Sequence, residues 1–392
     1  MKKRIAILGS TGSIGTTSLN IFKKNKNKFD IILLAANRNY SLICKQIKVF
    51  KPKYYIINDE LVFKKVKKKY ENKKIKIHNN FSDLNFKKKK FDITISSIVG
   101  IAGLSPTVKF VKYTKKILLA NKETIICGWH LIKNLSKTYK TKIIPVDSEH
   151  FSIDQLTRNY KDTDIEKIYL TASGGPFLNK PLISFKSIKA SDAIKHPKWK
   201  MGKKISIDSS NLMNKVLEII EAYRLFPFKI DKYEIIIHPQ SLVHAIVHFR
   251  NGQTRFLYHE TDMKIPISNA IFENDFDNKN FIYPKKDILK KFENLQFIKV
   301  DKKRFPIVTL LKKFSNNNSG PIILNASNET LVSKFIEGKI SFKSIFFYLR
   351  SVLGHKHFKK YAIKRSPNIN EIYEIDNWAR TKTLELIRRK FT

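Results

Sequence analysis

Through residues 1–150, short apolar runs alternate with Lys-rich stretches of helical character: Ile5 to Leu8, Ile31 to Ala36, Tyr54 to Ile57, Ile93 to Ile98, Ile117 to Ala120 and Ile143 to Val146. A strand that is apolar at every position must bury both faces, and helices between such strands supply the covers, so the pattern predicts a parallel sheet. After Asp147 the rhythm changes. A strand at Ile168 to Thr171, a loop rich in Gly, Pro, Ser and Lys to about residue 204 and a helix from Ser209 to Phe226 lead into strands at Tyr233 to Ile237, Leu242 to Phe249 and Thr254 to Tyr258. That order suits a mixed or antiparallel sheet. From about Ser268 to Lys299 the composition turns to Asn, Lys and Asp, and apolar residues then return at helical spacing in Glu329 to Ile336 and Ile345 to Leu353. A chain of 392 residues is too long for one core. The expected architecture is α/β: an N-terminal Rossmann-like parallel-sheet domain over 1–147, a central α+β catalytic domain over 148–270 with a lid loop at about 186–204, a linker over 271–300 and a C-terminal helical domain over 301–392.

The formal charge is +43, from 76 Lys+Arg against 33 Asp+Glu, a balance that ordinarily points to nucleic acid or an anionic surface. Here the lysines run through nearly every segment, as in Lys64 to Lys69 and Lys87 to Lys90, interleaved with Asn and Ile. No RNA-binding aromatic signature, zinc-finger spacing or basic-region heptad accompanies them, so compositional bias accounts for the charge and no specific nucleic-acid partner is expected, only weak polyanion binding. Cys44 and Cys127 stand far apart with no Cys-x-x-Cys partner, which encodes neither a disulfide framework nor a thiolate zinc site and fits a reducing compartment. The basic start Met1 to Arg4 is followed by an apolar run that stops at Gly9, which reads as a first strand, not a signal peptide. No stretch approaches the roughly 18 to 20 apolar residues that span a bilayer, so a soluble cytoplasmic protein without a membrane partner is expected.

Gly9-Ser-Thr-Gly12-Ser-Ile-Gly15 follows the first strand and opens a helix. Small residues there let the backbone approach a pyrophosphate, whose charge the helix N-terminus favours. A tight turn without ligand would use the same glycines. The end of the second strand reads Ala35-Ala36-Asn37-Arg38-Asn39, where NAD-binding folds place an acid for the ribose 2′-hydroxyl. Arg38 can pair with a 2′-phosphate instead, favouring NADPH over NADH, unless it is one more solvated cation.

Asp147 and Glu149 end a strand and Glu218 lies on the next long helix, in a chain that uses acids sparingly. Three carboxylates make an all-oxygen set suited to Mg²⁺ or Mn²⁺; a helix cap and a surface acid are the plainer alternatives. Asn214 and Lys215 precede Glu218 by four and three residues and so project from the same side of that helix. A cation beside a metal-binding acid points to an anionic, chelating substrate. Ser173, Ser209 and His196 add polar groups, and His196 to Gly202 joins an imidazole to the Trp199 indole in a loop that could close over substrate, although a local core anchor and a capping residue are also open readings.

Taken together, GSTGSIG at 9–15, NKE at 121–123, DSEH at 147–150, TASGGPF at 171–177, HPKWKMGKKISIDSS at 196–210, NKVLEIIEA at 214–222, IHPQSLVHA at 237–245 and LNASNET at 324–330 resemble, in order, the 1-deoxy-D-xylulose 5-phosphate reductoisomerase family. The resemblance covers essentially the whole chain. It implies a metal-dependent, NADPH-dependent rearrangement and reduction of 1-deoxy-D-xylulose 5-phosphate to 2-C-methyl-D-erythritol 4-phosphate, in a homodimer, with Mg²⁺ or Mn²⁺ and also Co²⁺ as candidate ions. By position it implies that Thr11, Gly12, Ser13 and Ile14 hold the pyrophosphate side of NADPH, that Asn37, Arg38 and Asn39 face the adenosine phosphate, and that Asn121, Glu123 and Gly202 touch the nicotinamide cofactor. Lys122 and Ser148 would contact substrate oxygens, and Asp147, Glu149 and Glu218 would bind the metal. Ser173, His196, Ser209, Asn214 and Lys215 would bind substrate, mostly at its phosphate, under Trp199, with His244 nearby. Asn37 stands where the family usually has Gly, Arg38 where Lys is common and Ala172 where Gly is frequent. An ordinary NADPH dehydrogenase without rearrangement, which needs no three-carboxylate site, and a nonenzymatic polyanion binder are the competing readings.

Overall fold

The computed structural model describes residues 1–86, 90–196, 198–199, 202–273, 292–314 and 319–389. They form two compact units. The first comprises Met1–Thr124, Trp129–Phe151 and a return segment that starts at Asp262; the second comprises Ile125–Gly128, Ser152–Thr261 and the C-terminal part of the chain.

In the first unit, strands β1 (Lys3–Leu8), β2 (Phe29–Ala36), β3 (Tyr54–Ile57), β4 (Lys76–His78), β5 (Phe91–Ser96), β6 (Thr114–Leu119) and β7 (Lys142–Pro145) form one sheet in the order β4-β3-β2-β1-β5-β6-β7. Every pairing is parallel. Alternation explains the continuous apolar runs: Ile5 and Ile7 enter one apolar cluster, with α1 (Ser13–Lys24) and α2 (Tyr40–Phe50), while Ala6 and Leu8 enter the opposite one with Phe110 of α4 (Leu104–Val111). The first cluster also takes Val66 from α3 (Glu60–Lys69). Each fully buried Ile or Leu contributes about 1.5–3 kcal/mol relative to an exposed one. The chain leaves β1 toward β2 and returns to its other side at β5, which makes the carboxyl end of β1 the switch point where such sheets bind ligands.

The second unit carries a mixed sheet, β11-β10-β8-β9-β12, built from β8 (Ile165–Ala172), β9 (Tyr233–Ile237), β10 (Val243–Phe249), β11 (Thr254–Tyr258) and β12 (Ile298–Lys299). Only β8 and β9 pair in parallel, and the others are antiparallel. The long crossover from β8 to β9 contains α7 (Ala190–Ala193), α8 (Lys203–Ser210) and α9 (Met213–Leu225). Helices Gly320–Ile336, Phe342–Leu353 and Ile369–Arg388 follow, and the first is buried around most of its circumference, as a central helix must be.

The helix expected from Ser209 to Phe226 is in fact two. Leu212 sits at φ 67°, a left-handed conformation that ends α8, and Asn211 Oδ1 accepts from Met213 N at 2.9 Å to start α9. Ser209 therefore lies on α8, whereas Asn214, Lys215 and Glu218 lie on α9. In the stretch expected as a linker, Ile271 still belongs to the helix Lys264–Phe272 and is buried in the first unit's core, while 274–291 lie outside the described residues. Pro197, Lys200 and Met201 of the expected lid loop also lie outside them, as do Lys87 to Lys89. Among the described residues no helix is long and apolar enough to cross a membrane.

Candidate active site

At the end of β1 two glycines are dictated by space. Gly9 has φ 91°, and a Cβ there would lie 2.7 Å from the Ser97 carbonyl. At Gly15 it would lie 2.3 Å from Gly9 O. Gly12 is the N-cap of α1; no side chain caps that helix, its first turn carries no acid, and Gly12 and Ser13 are exposed, so the helix start lacks the side-chain acceptor that its leading amides would otherwise take. Such a cradle suits a diphosphate. Thr11 and Ile14 are half-buried on the same turn. Asn37 and Arg38 are exposed beyond β2, and Asn39 accepts from Leu42 N at 3.1 Å to cap α2. Asn121 is buried: its amide donates to Ile98 O and, at 3.0 Å, to Gly100 O, while its Oδ1 accepts from Thr124 N at 2.6 Å to open α5 (Lys122–Thr138). Glu123 is likewise buried.

Still within the first unit, the β7 end and the start of α6 (Ser148–Thr157) gather Lys122, Asp147, Ser148 and Glu149. Lys122 Nζ is 2.7 Å from Asp147 Oδ2, Glu149 N donates to Asp147 Oδ1 at 3.2 Å, and Ser148 Oγ donates to Glu149 Oε2. The fully buried His150 lies 3.6 Å from Asp147 Oδ1. Two carboxylates separated by Ser148, with Lys122 set against Asp147, form an acidic half-site for a hard cation.

The second unit collects the rest. On α9, Glu218 is 1% exposed; its Oε1 accepts from Asn214 Nδ2 at 2.5 Å and its Oε2 is 2.5 Å from Lys215 Nζ. Ser173 Oγ is 3.0 Å from His196 Nε2 and accepts from Gly175 N at 3.1 Å. His196 Nδ1 accepts from Trp199 N at 2.9 Å and from Lys198 N at 3.2 Å, which assigns the neutral ring its proton on Nε2. Ser173 thus accepts twice and keeps its own O–H to donate. Burial, reinforced by the Lys215 charge, pushes His196 down to about 4. Gly174 and Gly175 have φ 78° and 67°, and a Cβ on Gly175 would lie 2.8 Å from Ser210 Cα, so these glycines let the Ser173 loop approach Ser209 on α8. Gly202 caps α8 in open space. Trp199 stands edge-on to His244, with ring centroids 6.1 Å apart.

Two contacts escaped sequence reasoning. His259 stacks on His244 at 3.7 Å, and Asn328 Nδ2 donates to the buried Asp208 Oδ1 at 2.8 Å, tying α8 to helix Gly320–Ile336. The signal available for the second was an Asp inside a segment rich in hydroxyls and an Asn in LNASNET, neither of which announces its partner.

Comparison with known proteins finds the family model of 1-deoxy-D-xylulose 5-phosphate reductoisomerase over residues 5–128, its C-terminal domain over 143–226 and a DXP reductoisomerase C-terminal domain over 259–382. A 1-deoxy-D-xylulose 5-phosphate reductoisomerase of Pelagibacter ubique is 44% identical over 97% of this chain and 98% of its own. That of Wolbachia pipientis from Culex pipiens is 38% identical over 99% and 98%. Among solved structures, the Zymomonas mobilis reductoisomerase in complex with NADPH matches with a TM-score of 0.87 at 29% identity, covering 99% of each chain. A DOX-P reductoisomerase in complex with NADPH, fosmidomycin and magnesium matches at 0.89 and 29% over 98% of each.

Proposed function

The chain belongs to the 1-deoxy-D-xylulose 5-phosphate reductoisomerase family, and from that premise we propose that it rearranges and reduces 1-deoxy-D-xylulose 5-phosphate to 2-C-methyl-D-erythritol 4-phosphate, a step toward isoprenoid precursors, using NADPH and a divalent ion. The observation that carries the reading is the pairing of an acidic half-site at Asp147 and Glu149 with a uncapped glycine cradle at 9–15. An ordinary dehydrogenase has use for the cradle but not for the carboxylates.

The residues present fit both groups. Gly9 and Gly15 let the loop pack tightly on the Ser97 backbone and on itself, which shapes the turn proposed to take the diphosphate of NADPH, with Thr11, Gly12, Ser13 and Ile14 lining it. The exposed Arg38, with Asn37 and Asn39, suits the 2′-phosphate, and Asn121, Glu123 and Gly202 are assigned to the nicotinamide end. We assign Asp147, Glu149 and Glu218 as the oxygen donors for the ion, a residue chemistry matched to Mg²⁺ or Mn²⁺. When bound, the ion supplies Lewis acidity at the ketose carbonyl and NADPH supplies the hydride. Lys122, beside Asp147, and Ser148 orient the substrate's hydroxyl and carbonyl oxygens. Ser173 donates its remaining proton to the phosphate, and Lys215, Asn214, Ser209 and His196 complete that anion site. Because His196 is neutral near pH 7, it adds no charge of its own and acts through its Nε2 donation to Ser173, which leaves the Ser173 O–H free for the phosphate. Trp199 covers the carbon chain and excludes water, with His244 packed beside it. Remote phosphate binding of this kind contributes energy toward ordering the reacting end.

We further assign the division into 1–147, 148–270, 271–300 and 301–392, a homodimeric assembly and a cytoplasmic location; family likeness supports them. The test is NADPH oxidation followed by absorbance with 1-deoxy-D-xylulose 5-phosphate. We expect oxidation that requires Mg²⁺ or Mn²⁺, yields methylerythritol phosphate and falls in Glu218→Gln by at least about 10- to 100-fold, the loss typical for the close support of a metal site. Equal turnover in the presence of a chelator would overturn the assignment.

A further inference from the structure

Beneath the glycine loop lies a closed, buried polar triangle. Ser10, Gln46 and Tyr55 are 0%, 3% and 0% exposed. Gln46 Nε2 donates to the Ser10 carbonyl at 2.8 Å, and Gln46 Oε1 accepts from Ser10 Oγ and from the Tyr55 hydroxyl, each at 2.7 Å. The two hydroxyls lie 3.1 Å apart. From the β2 side, Gly9 N and Ser10 N both donate to Ala35 O, at 2.9 and 2.8 Å. Ser10 is therefore gripped at its amide, its carbonyl and its side chain, immediately before Thr11 and Gly12. Burial raises the Tyr55 phenol well above its ordinary range, so it stays a donor.

Packing alone does not call for this arrangement. Gln46 shares α2 with the buried Ile43, Cys44 and Ile47, and Leu there would extend an apolar face without desolvating an amide. Gln46 also links two parts of one ligand. It reaches the loop that suits the diphosphate, yet it belongs to the helix whose N-terminal turn follows Asn37, Arg38 and Asn39, the residues suited to the 2′-phosphate. We propose that Gln46, backed by Tyr55, is a positioning residue for the dinucleotide: it fixes the Ser10 peptide so that the amides after it converge on the diphosphate, in register with Arg38. The inference rests on the NADPH reading above and deepens it.

The test compares Gln46→Leu, Tyr55→Phe and the double variant by NADPH fluorescence titration, melting temperature and steady-state kinetics in the full chain. Gln46→Leu should weaken NADPH binding by about tenfold, the worth of a lost buried hydrogen-bond pair, while kcat and the KM for 1-deoxy-D-xylulose 5-phosphate at saturating NADPH stay within about twofold. Tyr55→Phe, which keeps both Gln46 to Ser10 bonds, should weaken it by no more than about threefold. In the double variant the buried phenol that loses its 2.7 Å bond to Gln46 is itself removed, so part of the melting temperature lost in Gln46→Leu should return while NADPH binding stays weak. NADPH affinity that recovers with the melting temperature, or that never changes in Gln46→Leu, overturns the positioning role. Absence of NADPH binding in the wild-type protein overturns the cofactor assignment itself, and the inference with it.

Discussion

His196 shows how one imidazole can be fitted to an anion without bringing charge. Its folded value near 4, set first by burial and then by Lys215, lies below the ordinary 6.5. Between those values the unfolded chain takes up a proton that the folded chain refuses, so this group's contribution to stability is fully present above about pH 6.5 and is lost as pH falls toward 4. A phosphate beside the ring would reverse the local balance, since a dianion favours the imidazolium. In a proton NMR titration of the free protein, His196 should remain neutral down to about pH 5, and phosphorylated substrate should move its midpoint upward. An ordinary midpoint in the free protein, unchanged by substrate, would contradict both the burial argument and the phosphate assignment. At this scale the sequence was informative about identity but silent about state: Ser173, His196 and Lys215 could be picked out as polar groups in loops and on a helix, but only the fold sets the ring tautomer and the neighbouring ammonium.

Elements were legible where burial wrote the pattern. The strands β1 to β3 and β5 to β7 were readable because parallel strands covered on both faces are apolar throughout. The edge strand β4, Lys76–His78, is three residues long and partly exposed, and so left no run to read. The break between α8 and α9 was equally hidden, because Leu at a left-handed position goes against local preference and is held there by tertiary contacts. That break matters to the site, since Ser209 is oriented by α8 and not by the helix of Lys215. The contact that fixes α8 comes from far along the chain: Asn328 donates to Asp208, one residue from Ser209, and Lys204 lies 3.1 Å from the same carboxylate. Asn328→Leu would leave a carboxylate only 1% exposed short of a donor, at a cost of about 1–3 kcal/mol. The expected result is a lower melting temperature together with a KM for 1-deoxy-D-xylulose 5-phosphate raised about three- to tenfold, with the KM for NADPH unmoved. A drop in melting temperature with both KM values unchanged would reduce the Asp208 contact to structural support alone.

For the molecule as a whole, the charge of +43 acts at long range on ligands that are themselves anions. Because the lysines are spread over nearly every segment, they provide a general positive potential. Two consequences separate this reading from that of a nucleic-acid-binding protein. Association of an anionic substrate should be accelerated at low salt, so kcat/KM for 1-deoxy-D-xylulose 5-phosphate should fall severalfold as KCl rises from about 20 to 500 mM, over which the Debye length shrinks from roughly 20 to 4 Å, while kcat stays level. Duplex DNA of any sequence should bind weakly, with an affinity that drops steeply with salt and shows no sequence preference. A kcat/KM indifferent to salt would mean that the dispersed lysines have no part in substrate capture. Sequence-selective DNA binding that persists at high salt would mean that some of those lysines are organised after all, since counterion release alone neither discriminates sequence nor survives screening.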